Sequence, residues 1–135
     1  MPAFLRPGDR TTGTYAPRTA RPFASPAAHV CCTHFRVRTD LCDDAVVLRL
    51  SGELDRAAVP CLLHAVERAL VRGRHRIVLD MDALRFCDAG GVGGLLSARR
   101  AAESVAVRIY LARPSRLLRR LLALCRVSGC FPTVS

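Results

Sequence analysis

The sequence predicts a single α/β domain, on three observations. From His34 onward, apolar runs alternate with amphipathic segments. One of those runs, Ile77-Val78-Leu79, is short and apolar throughout, as a parallel strand buried on both faces must be. Gly, Pro and Asp fall between the segments, where turns belong. A chain of 135 residues has room for one domain, whose folding buries roughly two thirds of the unfolded surface.

The elements follow in order. Residues 1–33 are rich in Pro, Thr, Arg and Ala without hydrophobic periodicity, and are expected to form a disordered tail; the folded domain is expected over 34–135. A first strand is expected from His34 to Thr39. The Asp-rich turn at Cys42-Asp43-Asp44 leads into a second, Ala45 to Leu50, ended by Ser51-Gly52. Val59, Leu62, Leu63, Val66 and Leu70 recur at helical spacing, so Arg56 to Arg72 reads as an amphipathic helix stopped by Gly73. After the strand at Ile77–Leu79 a loop is expected as far as Asp88. Val92, Leu95, Leu96 and Ala102 mark a second helix, and its start carries glycines at 90, 91, 93 and 94. Backbone there must pack closely or present its N–H groups. Val105, Val107, Ile109 and Leu111 alternate with Ala106, Arg108 and Tyr110 as a strand. Pro114-Ser115 opens a third helix to about Cys125, with Leu117, Leu118, Leu121 and Leu122 toward the core, and residues 131–134 read as a last short strand.

Composition narrows the function. The net charge is +10, and all 21 basic residues are Arg. They are spread along the chain, without the dense basic run or aromatic interleaving of a nucleic-acid groove, so no nucleic acid is expected. No run approaches the ~18 apolar residues of a membrane span. The seven cysteines, at 31, 32, 42, 61, 87, 125 and 130, are odd in number and show no C-x2-C pair. They read as free thiols of a reducing, cytoplasmic compartment, and no metal or cofactor is expected. Cys31, Cys32 and His34 are the one cluster with metal-ligand chemistry.

Two segments add a resemblance. Leu50-Ser51-Gly52-Glu53-Leu54-Asp55 follows a strand, and Val78-Leu79-Asp80 is followed by Leu84-Arg85-Phe86-Cys87-Asp88-Ala89-Gly90-Gly91-Val92-Gly93. Together they resemble the STAS family, whose anti-sigma factor antagonists carry G-E-L-D and F-x-D-S-S-G-L-G at these places. The resemblance spans about residues 34–135, with Arg113-Pro114-Ser115 turning into the leucine-rich helix. It implies a mixed four- to five-stranded sheet packed with about three to four helices.

The resemblance also implies a site. In such antagonists a serine of D-S-S-G is phosphorylated by the anti-sigma factor itself, at a helix start where free N–H groups and the helix dipole favour a phosphate. Here Asp88 matches the Asp, Ala89 the first serine, Gly90 the usual phosphoacceptor and Gly91 the glycine. Gly90 has no side-chain oxygen, so phosphorylation at that position is excluded. Ser97 would sit roughly 10 Å along the helix, beyond its anion-favouring first turn, and Ser51 lies in the loop beside Asp55. Cys87, at the helix start, is expected to be packed and unreactive.

Asp55 is read both as a cap for the helix that follows and as part of the partner surface, and so is Asp88. Glu53 and Asp55 form a carboxylate pair, but no histidine or nucleophile accompanies them in the motif, so catalysis is not expected. Asp55, Asp88, Ala89, Gly90 and Gly91 are the candidate partner-binding residues. The first reading is a non-enzymatic, monomeric antagonist that binds a serine-kinase-type anti-sigma factor and acts constitutively. The alternatives are an accessory subunit of a lipid-transport ATPase or signalling scaffold, and a basic nucleic-acid-binding protein. Arg116, Arg119, Arg120 and Arg126 give the third helix a basic outer stripe, in most such helices a solvated face; the other reading is a surface for an anionic partner, either an acidic patch on a protein or the headgroups of a membrane.

Overall fold

A computed structural model describes residues 21–22 and 28–134, with side chains from Thr33 onward. Its strands are β1 (Arg21–Pro22), β2 (Ala28–Cys32), β3 (Phe35–Leu41), β4 (Ala45–Leu54), β5 (Arg76–Cys87), β6 (Arg108–Ala112) and β7 (Thr133–Val134). Its α-helices are α1 (Val59–Leu70), α2 (Ala89–Glu103) and α3 (Arg116–Leu124). One sheet runs in the order β1-β3-β4-β5-β6-β7, and β2 also pairs with β3. The β3–β4 hairpin is antiparallel, and β4, β5, β6 and β7 are parallel. This is the mixed sheet that the sequence implied: five strands from β3 to β7 carry the domain.

Alternation decides which face each strand turns inward. Val46, Leu48 and Leu50 of β4, Ile77, Leu79 and Met81 of β5, and Ile109 and Leu111 of β6 pack against Leu62, Val66, Leu95, Ala98, Leu118 and Leu122 of the helices. The opposite face buries Ala45, Val47, Val78, Tyr110, Ala112 and Val134. On it lies a charged group. Arg49 reaches both Asp40 and Asp80, and Arg113 Nη2 donates to Asp80 at 2.7 Å. Burying Asp80 at 3% exposure is tolerable because two guanidinium groups compensate it. The Asp44 carboxylate is paired with Arg76 in the same way.

Five expectations are corrected. β4 continues past Ser51-Gly52 to Leu54, because Gly52 takes φ +91° and lets the strand bend onto β3: a Cβ there would lie 2.1 Å from the His34 carbonyl oxygen. β5 runs twelve residues, through the stretch read as a loop. Its pairing with β4 shifts register twice there, which breaks the period-two pattern while keeping the ladder. The strand expected from Val105 starts at Arg108, since Ala106 takes φ +62° and Val105 stands 56% exposed in a turn. Leu117 of α3 does not face the core: it is 75% exposed. Within the stretch expected to be a tail, the backbone of Ala28–Cys32 pairs with β3. Backbone hydrogen bonding to an open strand edge needs no apolar periodicity and so leaves no mark in the residue pattern. The rest of that expected tail, apart from Arg21–Pro22, lies outside the described residues.

Candidate docking site at the carboxyl ends of two parallel strands

Leu54 and Cys87 are partners at the ends of β4 and β5. The next residue on each strand is an aspartate, so parallel register alone places Asp55 beside Asp88. Each caps the helical segment it precedes. Asp55 Oδ1 accepts from Ala58 N at 3.1 Å, opening the 3-10 turn Arg56–Ala58 that leads into α1, whose first turn holds Pro60. Asp88 Oδ1 accepts from Gly91 N at 2.9 Å and opens α2. The two loops touch: a Cβ on Gly90 would lie 3.2 Å from Arg56 Cβ and 3.3 Å from Arg56 N. Asp55, Arg56, Asp88, Ala89 and Gly90 therefore line one ridge, at the end of the sheet where open α/β folds place their ligands.

The glycines of this helix start divide into two kinds. Ala89, Gly90 and Gly93 are exposed, whereas Gly91 and Gly94 are buried. A Cβ on Gly91 would fall 2.2 Å from the Leu54 carbonyl oxygen and 2.8 Å from Cys87 Sγ, and one on Gly94 would meet Val59. Gly91 thus holds α2 against the end of β4 and lies beneath the ridge. Of the five candidate residues, four reach the surface together and Gly91 supports them from below.

A histidine does accompany the carboxylates, in space if not in the motif. His34 Nε2 lies 3.0 Å from Asp55 Oδ1. This hydrogen bond is the largest cause that holds the Asp55 carboxyl below its ordinary value of 3.8, with the Ala58 N–H adding to it. His34 sits 21 residues before Asp55, across the β3–β4 hairpin, so only sheet register could have revealed the pair. Among the described residues, no Ser, Thr or Cys side chain hydrogen-bonds to His34. The pair buttresses the ridge, and Glu53 stands exposed beyond it.

Cys87 is unreactive by environment. Burial first, then the neighbouring Asp88 charge, pushes its thiol up to about 12, so almost none is thiolate near neutrality. Ser97 is half-buried two turns into α2. Among the described residues, no group of three His, Cys, Asp or Glu is placed to hold a metal; the Cys31 and Cys32 side chains of the cluster with His34 lie outside them. Among those residues, too, no helix is long and apolar enough to cross a membrane.

A mixed sheet whose parallel strands end in two helix-capping aspartates defines a small α/β domain with two helix starts side by side at one edge. Comparison gives it a family. A family model described as "Mlab, STAS domain" matches residues 37–133, and the chain belongs to the STAS family. The anti-sigma F factor antagonist of Lysinibacillus sphaericus is 37% identical over 79 residues, covering 58% of this chain and 68% of that protein. The unphosphorylated form of the anti-sigma factor antagonist SpoIIAA superposes with a TM-score of 0.62 at 28% identity, covering 73% of this chain and 88% of the other. An anti-sigma factor antagonist from Mycobacterium paratuberculosis, at 20% identity, shares the fold with a TM-score of 0.65 over 74% of this chain and 85% of its own. The chain is thus an STAS protein similar to anti-sigma factor antagonists.

Proposed function

We propose that this protein is a non-enzymatic anti-sigma factor antagonist that works in the cytoplasm as a monomer. The ridge of Asp55, Asp88, Ala89 and Gly90, held up by Gly91, docks onto a serine-kinase-type anti-sigma factor and so releases a sigma factor for transcription. The observation that carries the reading is the juxtaposition of Asp55 and Asp88 on paired parallel strands, with Ala89 and Gly90 exposed between them. On a ridge where Asp55 and Asp88 outnumber Arg56, a chain of net charge +10 still offers a locally acidic contact to a basic partner surface.

The antagonism is constitutive. Phosphoryl transfer needs an oxygen to attack the γ-phosphorus of ATP, and neither Ala89 nor Gly90 supplies one. The test is affinity purification of the full chain from its native host, followed by mass spectrometry of bait and partners. A kinase-type anti-sigma factor is expected in the complex, with the 86–97 segment unmodified even after incubation with ATP. A phosphorylated residue in that segment, or capture of a transport ATPase subunit with no kinase-like protein, contradicts it. The second outcome would support the accessory-subunit reading, which the missing hydroxyl also favours, because such subunits have no need of a phosphoserine.

A further inference from the structure

Of the five large apolar side chains exposed among the described residues, three converge on one groove: Phe86, Leu117 and Leu124, at 49%, 75% and 79% exposure. The groove, of roughly 540 Å³, lies between the outer half of β5 and α3. Leu117, Leu121 and Leu124 recur along one side of α3 and face Leu84 and Phe86 of the strand. A separate row, Leu118 and Leu122, ties α3 to the core. Helical spacing explains how one short helix carries both: residues three or four apart share a face, and α3 has an apolar row for the core and another for this groove.

The walls bear charge of one sign. Among the described residues, Arg85 and Arg120 line the groove and no Asp or Glu does. A surface apolar along its floor and positive along its rims fits a complementary amphipathic element, apolar on one face and acidic on its flanks. Leu117 to Leu124 spans about 10 Å, roughly two turns of an α-helix. The surface is concave, which suits a helix laid into it better than a flat lipid headgroup layer. Cys87 ends the groove where Asp88 begins the ridge, so the groove is a second surface, contiguous with the proposed antagonist site but built from other residues.

We infer that the groove between β5 and α3 binds an acid-flanked amphipathic helix of a partner protein. The inference is independent of which protein occupies the ridge. The test is fluorescence anisotropy of the full chain with a labelled, capped peptide of roughly four turns, leucines on one face and glutamates on the flanks, and with its lysine-flanked twin. The acidic peptide is expected to bind at least about tenfold more tightly than the twin, with a marked salt dependence. Leu117→Asp, and separately Arg85→Glu with Arg120→Glu, are each expected to weaken it by about tenfold or more while circular dichroism stays unchanged, because these side chains are exposed at the surface.

Asp55→Ala and Ala89→Arg, which alter the ridge, are expected to leave peptide binding as it was, so a failed ridge and a failed groove give different results. Equal binding of both peptides, or insensitivity to the groove substitutions, overturns the inference. So does binding of phosphatidylglycerol vesicles in place of the peptide, or self-association of the chain that Leu117→Asp abolishes.

Discussion

Gly90 and Gly91 are adjacent glycines with opposite tolerances. A methyl group on Gly91 would collide with the carbonyl oxygen of Leu54 at 2.2 Å, a backbone atom that cannot swing aside. Gly91→Ala is therefore expected to lower stability by about 3 kcal/mol, through displacement of α2 from the end of β4. Gly90→Ser meets its nearest neighbours at 3.2 to 3.3 Å, and thermal unfolding should register a change within about 1 kcal/mol. That variant restores a hydroxyl to the ridge and is expected to become phosphorylated by a cognate kinase.

His34 and Asp55 give a dependence on pH whose sign is fixed. The folded-state carboxyl titrates below its ordinary 3.8, so the stabilising pair is complete above that value and is lost as pH falls through the lowered one. His34→Ala is expected to bring Asp55 back up toward 3.8, readable as a shift in the carboxyl carbon resonance during an acid titration. An unmoved titration would show that the hydrogen bond is not the cause.

At the scale of elements, α3 shows what the sequence could and could not disclose. Its capping by Ser115, whose Oγ accepts from Leu118 N at 3.0 Å, and its limits were legible from Pro114-Ser115 and the leucine spacing. Five leucines on a nine-residue helix are too many for one face, however, and the sequence alone could not say which row met the sheet. Leu118→Ala should cost about 2–4 kcal/mol, as a buried leucine does. Leu117→Ala should cost under about 0.5 kcal/mol, and chemical denaturation of the two variants separates them.

The outer half of β5 was illegible for another reason. Asp82, Ala83, Arg85 and Phe86 are exposed, and two register shifts against β4 put successive residues out of phase, so neither period-two alternation nor a continuous apolar run marks the strand. Asp88 and the helix after it were readable because a capping carboxylate and a glycine-rich turn leave a local signature. The partnership of His34 with Asp55, and the burial of Gly91 beneath Leu54, arise from register between distant segments and leave none.

For the whole molecule, topology makes the site. Two parallel strands in register must end at the same edge of the sheet, and both pass at once into helical segments that need caps. Asp55 and Asp88 are juxtaposed for that reason, whatever partner meets them. On the opposite sheet face the ion-paired group of Asp40, Arg49, Asp80 and Arg113 ties β3, β4, β5 and the loop after β6 together. The ridge, with Arg56 between its two aspartates, and the basic, apolar groove are distinct surfaces on a chain of net charge +10.

The most direct measurement is a calorimetric titration of the full chain, and of its Ala89→Arg variant, with the host's kinase-type anti-sigma factor. Ala89 is exposed at the first turn of α2, so a bulky cation there should leave the fold intact while blocking close approach and opposing a basic partner surface. Saturable binding by the parent chain is expected, with a loss of at least about tenfold in affinity for the variant. Equal affinity for the two chains, or no binding by the parent, would contradict it.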